Sequence, residues 1–162
     1  MTIEKRDYDW HTYFLSMCKV VASRSKDRST KVGAVIVGPD NEIRSTGYNG
    51  FPRGIDDDED SKHERPDKYL WTIHAEQNAI LAAAMVGTPL KGSKIYVDLH
   101  PCSRCTAFII NSGIKEIIID NRDLESKKAV YERFADDFVI ARKMIKENGK
   151  VLITMINDFN LI

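Results

Sequence analysis

With 162 residues, 43% of them hydrophobic, the chain has enough apolar surface for one sizeable core and is expected to form a single domain over residues 1–162. Its 24 basic and 24 acidic side chains cancel, which removes any global electrostatic case for nucleic-acid or anionic-membrane partners while leaving room for a local phosphate site. Three cysteines are too few, and odd in number, for a disulfide framework.

In chain order, Thr2 to Asp7 carries charges of both signs and no apolar targeting core, and no later stretch approaches membrane-spanning length. A cytoplasmic location is the default expectation. Asp7 to Ser23 reads as a helix, with Trp10, Tyr13, Phe14, Met17, Val20 and Val21 at helical spacing and Cys18 as a buried structural thiol. Val32 to Val37 and Ile43 to Tyr48 read as a hairpin around the turn cluster Gly38-Pro39-Asp40-Asn41. Residues 49 to 71, punctuated by Gly50, Pro52, Gly54 and Pro66, read as a long loop. Its acidic run, Asp56 to Asp60, reads as a solvated face and not as a metal site.

A helix follows His74, its body being Ala79 to Met85. Lys94 to Asp98 is a strand, Cys102 to Ser112 a helix and Glu116 to Ile119 a strand, a βαβ succession that implies parallel neighbours. Residues 125 to 147 read as helical with a break near Asp136-Asp137, and Lys150 to Ile156 as a last strand after Gly149. The economical architecture is α/β: a mixed five-stranded sheet flanked by helices.

Two segments carry chemistry, His74-Ala75-Glu76 and Pro101-Cys102-Ser103-Arg104-Cys105. Together they offer three metal ligands, His74, Cys102 and Cys105, and one carboxylate that need not bind metal. Three protein ligands with one open position is the pattern of a catalytic zinc site. Pro101 suits the first position of a helix, which places Cys102 and Cys105 one turn apart on one face. The helix after His74 would bring a second N-terminus to the same ion, and the partial positive charge of both favours thiolates. Glu76 would then reach the open position as general acid and base. Alone, the C-x-x-C could be a redox pair or half of a structural zinc knuckle, His74 a core histidine and Glu76 a solvated carboxylate. Neither a thioredoxin-like context nor two further local ligands accompany the cysteines.

The H-x-E and P-C-x-x-C pair matches the signature of zinc nucleobase deaminases. The chain resembles the cytidine deaminase-like superfamily, and within it the deoxycytidylate (dCMP) deaminases, over most of residues 7 to 120. Beyond the zinc motif the resemblance rests on Arg24-Ser25-Lys26-Asp27, on Lys31 to Val37, on Thr46 to Gly54 and on His74 to Ile80. The G-Y-N-G-x-P segment within Thr46 to Gly54 is what singles out the dCMP branch.

The resemblance implies a three-layer α-β-α fold and hydrolysis of dCMP to dUMP and ammonia with one catalytic Zn²⁺, Glu76 moving the proton. It implies that the backbone of Ala75 meets the pyrimidine edge and that Asn49 fixes the sugar, although spacing alone would make Asn49 a turn residue at a strand end. For the 5′-phosphate, the substrate contacts expected are Lys26 and Arg122, with Arg24, Arg28, Lys31 and Arg104 as further candidates, although any one such cation is more often a solvated surface charge. The resemblance further implies a homo-hexamer activated by dCTP with Mg²⁺ and inhibited by dTTP. Lys26, Arg28, Asn49, Gly50, Arg53 and Gly54 are the expected effector contacts.

Three departures stand out. His100 precedes the Pro-Cys pair where an aromatic or small residue is usual in the family, which suggests a contact around the metal or with substrate. The long loop offers only His63, so a second zinc is not expected. The chain after Leu124 departs most from the family. A deaminase acting on another base, or a non-catalytic nucleotide sensor, are the alternatives; the G-Y-N-G segment speaks against the first and the presence of Glu76 against the second.

Overall fold

In the computed structural model, which describes residues 9–157, a single sheet is laid out in the order β2-β1-β3-β4-β5. Its strands are β1 (Gly33–Val37), β2 (Ile43–Tyr48), β3 (Lys94–Val97), β4 (Glu116–Asp120) and β5 (Leu152–Ile156). β1 is antiparallel to both β2 and β3, whereas β3, β4 and β5 run parallel, so the sheet is mixed. The hairpin register pairs Gly33 with Tyr48 and Ala34 with Gly47, with an irregularity between Ile36 and Val37.

The pleat divides the core in two. Ala34, Ile36, Ile95, Val97, Ile117 and Ile119 face helices α3 (Ala75–Val86), α4 (Ser103–Asn111) and α6 (Ala135–Asn148). Val35, Val37, Tyr96 and Ile118 face α1 (Trp10–Ala22) through Phe14, Leu15 and Cys18. Alternation on a strand covered on both sides explains why all five residues of β1 are buried. The expected three-layer α-β-α arrangement is the one observed.

α1 is capped by Asp9, whose carboxylate accepts from the Thr12 amide at 2.6 Å. The expected start at Asp7 lies outside the described residues. Only part of its apolar set enters the core: Trp10, Tyr13 and Val20 are exposed. The segment 49–71 contains a 3₁₀ turn, Asp60–His63, and a short helix α2 (Lys68–Trp71). The break expected near Asp136-Asp137 falls instead at Phe134, between α5 (Leu124–Arg133) and α6. Phe134 turns its ring toward Tyr69 and Phe138, at 6.1 and 6.2 Å between centroids.

Gly47 allows α3 to lie directly on β2. A Cβ there would collide with the Ala75 carbonyl and the Ala79 amide, so only a residue without a side chain fits between strand and helix. Gly33 does the same under α1, against the Cys18 carbonyl and the Ala22 amide.

Candidate active site

The carboxyl ends of β2 and β3 and the amino end of β1 share one edge of the sheet, as their register requires. The chain leaving β2 is pinned there by reciprocal backbone bonds between Gly50 and Ile73, 3.0 and 2.8 Å long. His74 comes next and is the N-cap of α3; its amide donates to Gln77 Oε1 at 3.2 Å. Across from it Cys102 is the N-cap of α4 and accepts from the Cys105 amide at 3.4 Å. Pro101 therefore sits one place before the cap and not at the first helical position expected from sequence. An extended residue before the cap suits its fixed φ equally well, and Cys102 and Cys105 still share one turn.

His74 Nδ1 is 3.5 Å from Cys102 Sγ and 3.4 Å from Cys105 Sγ. Tetrahedral zinc, with Zn–S of about 2.3 Å and Zn–N of about 2.0 Å, spaces a nitrogen and a sulfur ligand by roughly 3.5 Å. The donor set, one imidazole and two sulfurs all within 4.8 Å of one another, therefore fits that ion in chemistry and in spacing. The electrostatics agree. Donation from the Cys105 thiol, outweighing burial, together with His74 holds Cys102 near 4, while the same hydrogen bond and burial push Cys105 far up. Both sulfurs can be thiolates together only beside a cation. The hydrogen bond to Cys102 also raises His74.

Glu76, in the first turn of α3, is 4% exposed. Burial raises its carboxyl above the usual range, with neighbouring His74 only partly offsetting the effect. It lines a cavity of about 100 Å³ together with His74, Ala75, Cys102 and Asn49. His100 lines the same cavity, and burial lowers its imidazole.

Asn49 is 6% exposed and holds the entry of β1. Its Oδ1 accepts from the Val32 amide and its Nδ2 donates to the Thr30 carbonyl, both at 2.8 Å. One further donor and one further acceptor position remain on that amide. Lys26 and Arg122 are not brought to this cavity. Lys26 is bound to Asp57 at 2.7 Å beside a second hollow that Gly50 and His63 also line. Arg122 forks onto Asp120 through Nε and Nη2, each at 2.7 Å. Arg28 pairs with Asp60 at 2.6 Å, and Arg53 and Gly54 are exposed. Asp27 and Thr72 line both hollows.

Three basic groups that sequence reasoning missed do line the main cavity: Arg65, Lys68 and Arg133. Lys68, though buried, is held by Asp27 at 2.7 Å and Ser29 at 2.5 Å, while Arg65 and Arg133 are exposed at the rim. Phe134 and Phe138 supply aromatic wall. The only available signal was Arg65 before Pro66 in a long polar loop, and an Arg-Phe step inside a helical stretch.

Residues 8–121 match the family model of the cytidine and deoxycytidylate deaminase zinc-binding region. The chain is 37% identical over 172 aligned positions to a deoxycytidylate deaminase of Pongo abelii, covering 100% of this chain and 93% of that one. It is 44% identical over 121 positions to a probable deoxycytidylate deaminase of Caenorhabditis elegans, covering 72% of this chain and 60% of the relative. Among solved structures, dCMP deaminase from the cyanophage S-TIM5, in complex with dCMP and dUMP, superposes with a TM-score of 0.68 at 22% identity, covering 89% and 94% of the two chains. That likeness is one of fold.

Proposed function

Because the chain belongs to the zinc-binding cytidine and deoxycytidylate deaminase family, we propose that it deaminates dCMP to dUMP and ammonia, using one zinc ion per chain. The observation that carries this reading is a buried Glu76 sharing one cavity with His74 and Cys102, with both cysteine sulfurs within 3.5 Å of His74 Nδ1.

His74 Nδ1 and the sulfurs of Cys102 and Cys105 would hold the zinc. When bound, zinc supplies a Lewis acid that lowers the pKa of a water to near neutrality. Glu76 does the proton work: its raised affinity for a proton lets it accept one from the attacking water and return it to the amine leaving C4 of the pyrimidine. Ala75 begins α3, so its amide is one of the first-turn donors that no intrahelical carbonyl satisfies and can meet the pyrimidine edge. Asn49 positions the sugar with its remaining donor and acceptor. Phe134 and Phe138 exclude water from the ring. With Lys26 and Arg122 placed elsewhere, the 5′-phosphate falls to Arg65 and Arg133, where charge-assisted bonds are the strong ones.

The hollow lined by Lys26 and Gly50 is our proposed effector site for dCTP with Mg²⁺ as activator and dTTP as inhibitor, with Arg28, Asn49, Arg53 and Gly54 as the further effector contacts proposed. Its shared wall with the main cavity, Asp27 and Thr72, supports coupling between the two. The homo-hexamer rests on the family resemblance, and the cytoplasmic location is the default expectation from sequence; no helix among the described residues is long and apolar enough to cross a membrane.

The test is ammonia release from dCMP and from deoxycytidine by the purified, zinc-loaded protein, with and without dCTP and Mg²⁺. The reading predicts turnover of dCMP alone, raised by dCTP. Equal turnover of deoxycytidine would remove the monophosphate specificity, and silence on both would sink the substrate assignment.

A further inference from the structure

His100 is 3% exposed, and its Nδ1 lies 2.8 Å from the Pro101 carbonyl oxygen. A carbonyl only accepts, so Nδ1 carries the ring hydrogen and the neutral imidazole presents a lone pair at Nε2. Among the described residues that buried Nε2 has no hydrogen-bond partner. The ring stands against Phe138 at 4.9 Å between centroids, and the His100 amide is held by the Tyr131 hydroxyl at 3.3 Å. A desolvated acceptor without a donor is unfavourable, and this one is in the wall of the cavity that holds Glu76, His74 and Cys102. The arrangement calls for a ligand that brings an N–H or O–H.

Position decides which one. His100 lies two residues before Cys102, on the same connection from β3 to α4, and so at the metal end of the cavity. On the deaminase reading above, this is where the carbon–nitrogen bond breaks. A cytosine ring places its exocyclic amino group there and has an N–H to spare. After hydrolysis a carbonyl oxygen occupies the same position, and that atom can only accept.

We propose that His100 tells substrate from product: Nε2 accepts a hydrogen bond from the amino group that the reaction removes, and its lone pair opposes the carbonyl oxygen that replaces it. The consequence is weaker retention of the product nucleotide. No proton transfer is assigned to His100, so it acts as a specificity-determining residue.

The experiment measures binding of dCMP and dUMP by calorimetry to the zinc-loaded Glu76→Ala protein, in which the substrate persists, with and without His100→Phe. The prediction is a Kd for dCMP about fivefold to tenfold higher in the Phe variant, the size of one lost hydrogen bond, with the Kd for dUMP unchanged or lower. His100→Gln, which restores an acceptor, should recover part of the preference. Should His100→Phe not fold, His100→Met removes the acceptor with the same prediction. Equal weakening of both nucleotides would mean that His100 merely supports the cavity, and loss confined to ligands bearing a 3′-hydroxyl would place the donor on the sugar; either overturns the inference and leaves the deaminase reading intact. Failure of the parent protein to bind dCMP at all would overturn both.

Discussion

His74 and Cys102 cap the two helices that meet at the site, and their side chains touch, Nδ1 to Sγ at 3.5 Å. Both residues are extended, at φ −73°, ψ 159° and φ −69°, ψ 170°, so each side chain leaves its helix at the end where backbone N–H groups are free. Two such ends facing one point favour a thiolate there, and the third member of the donor set, Cys105, comes from the first turn of α4. Cys102→Ser should weaken zinc binding by about a hundredfold or more, judging from the tenfold to hundredfold cost of merely disturbing a ligand's support. Metal content after dialysis against a graded chelator reads this out; retention equal to the parent would remove Cys102 from the ligand set.

Gly47 sets the distance between β2 and α3, and α3 carries both Glu76 and the His74 cap. Gly47→Ala should cost about 3 kcal/mol as overpacking, which for a chain of this size lowers Tm by roughly 6–12 °C. Because the helix must shift bodily, zinc affinity should fall in the same variant. A variant as stable as the parent, with undiminished zinc binding, would contradict the close contact.

How much of this was legible beforehand follows from range. The hairpin and the βαβ unit are local patterns that period and spacing revealed, whereas the pairing of His74-Ala75-Glu76 with the Cys102 and Cys105 turn was legible through its match to the zinc deaminase signature. The departures depend on what packs from far away. Trp10, Tyr13 and Val20 share the apolar spacing of Phe14, yet the face of α1 turned to the sheet is Phe14, Leu15, Cys18 and Ala22. Phe134, at the break after α5, packs against Tyr69 of the distant α2. Arg65 and Arg133 reach one cavity from segments 68 residues apart, and nothing in either segment foretells the other. Lys26 and Arg122 carry the right charge in suggestive places, but Asp57 and Asp120 engage them.

Lys68 and Asp27 form a buried ion pair, 2.7 Å long with side chains 9% and 4% exposed. Burial alone would raise Asp27, but the Lys68 ammonium and the Thr30 and Ser29 amides bring it below the ordinary carboxylate range. A depressed carboxyl stabilises the fold above its unfolded pKa, and that contribution is lost as pH falls through its own lower value. Lys68→Met should therefore cost about 3–5 kcal/mol at pH 7, where Asp27 is left charged and unpaired. The deficit should shrink toward pH 4 as the carboxyl protonates. A deficit independent of pH, followed by urea denaturation, would mean that packing alone is responsible.

Asp98 has the opposite sign. Burial lifts it from 3.8 to about 7, against the pull of the Gly33 amide, which it accepts at 3.1 Å. Between those two values the folded state keeps a proton that the unfolded state releases, so stability falls as pH rises and levels off above about 7. Asp98→Asn keeps an acceptor for Gly33 and removes the titration. It should gain on the order of 4 kcal/mol over the parent at pH 8, with little difference at pH 4. A gain of equal size at both ends would rule out the buried carboxyl as its source.

The central claim is that Glu76 moves the proton while His74, Cys102 and Cys105 hold the metal. Zinc content and ammonia release from dCMP, measured on the same preparations of the parent and of Glu76→Ala, test it most directly. The account predicts one zinc per chain in both and a loss of turnover of about two to four orders of magnitude in the variant. Near-normal turnover with zinc retained would contradict the role of Glu76, and loss of zinc with the carboxylate would contradict the separation of ligand from proton carrier.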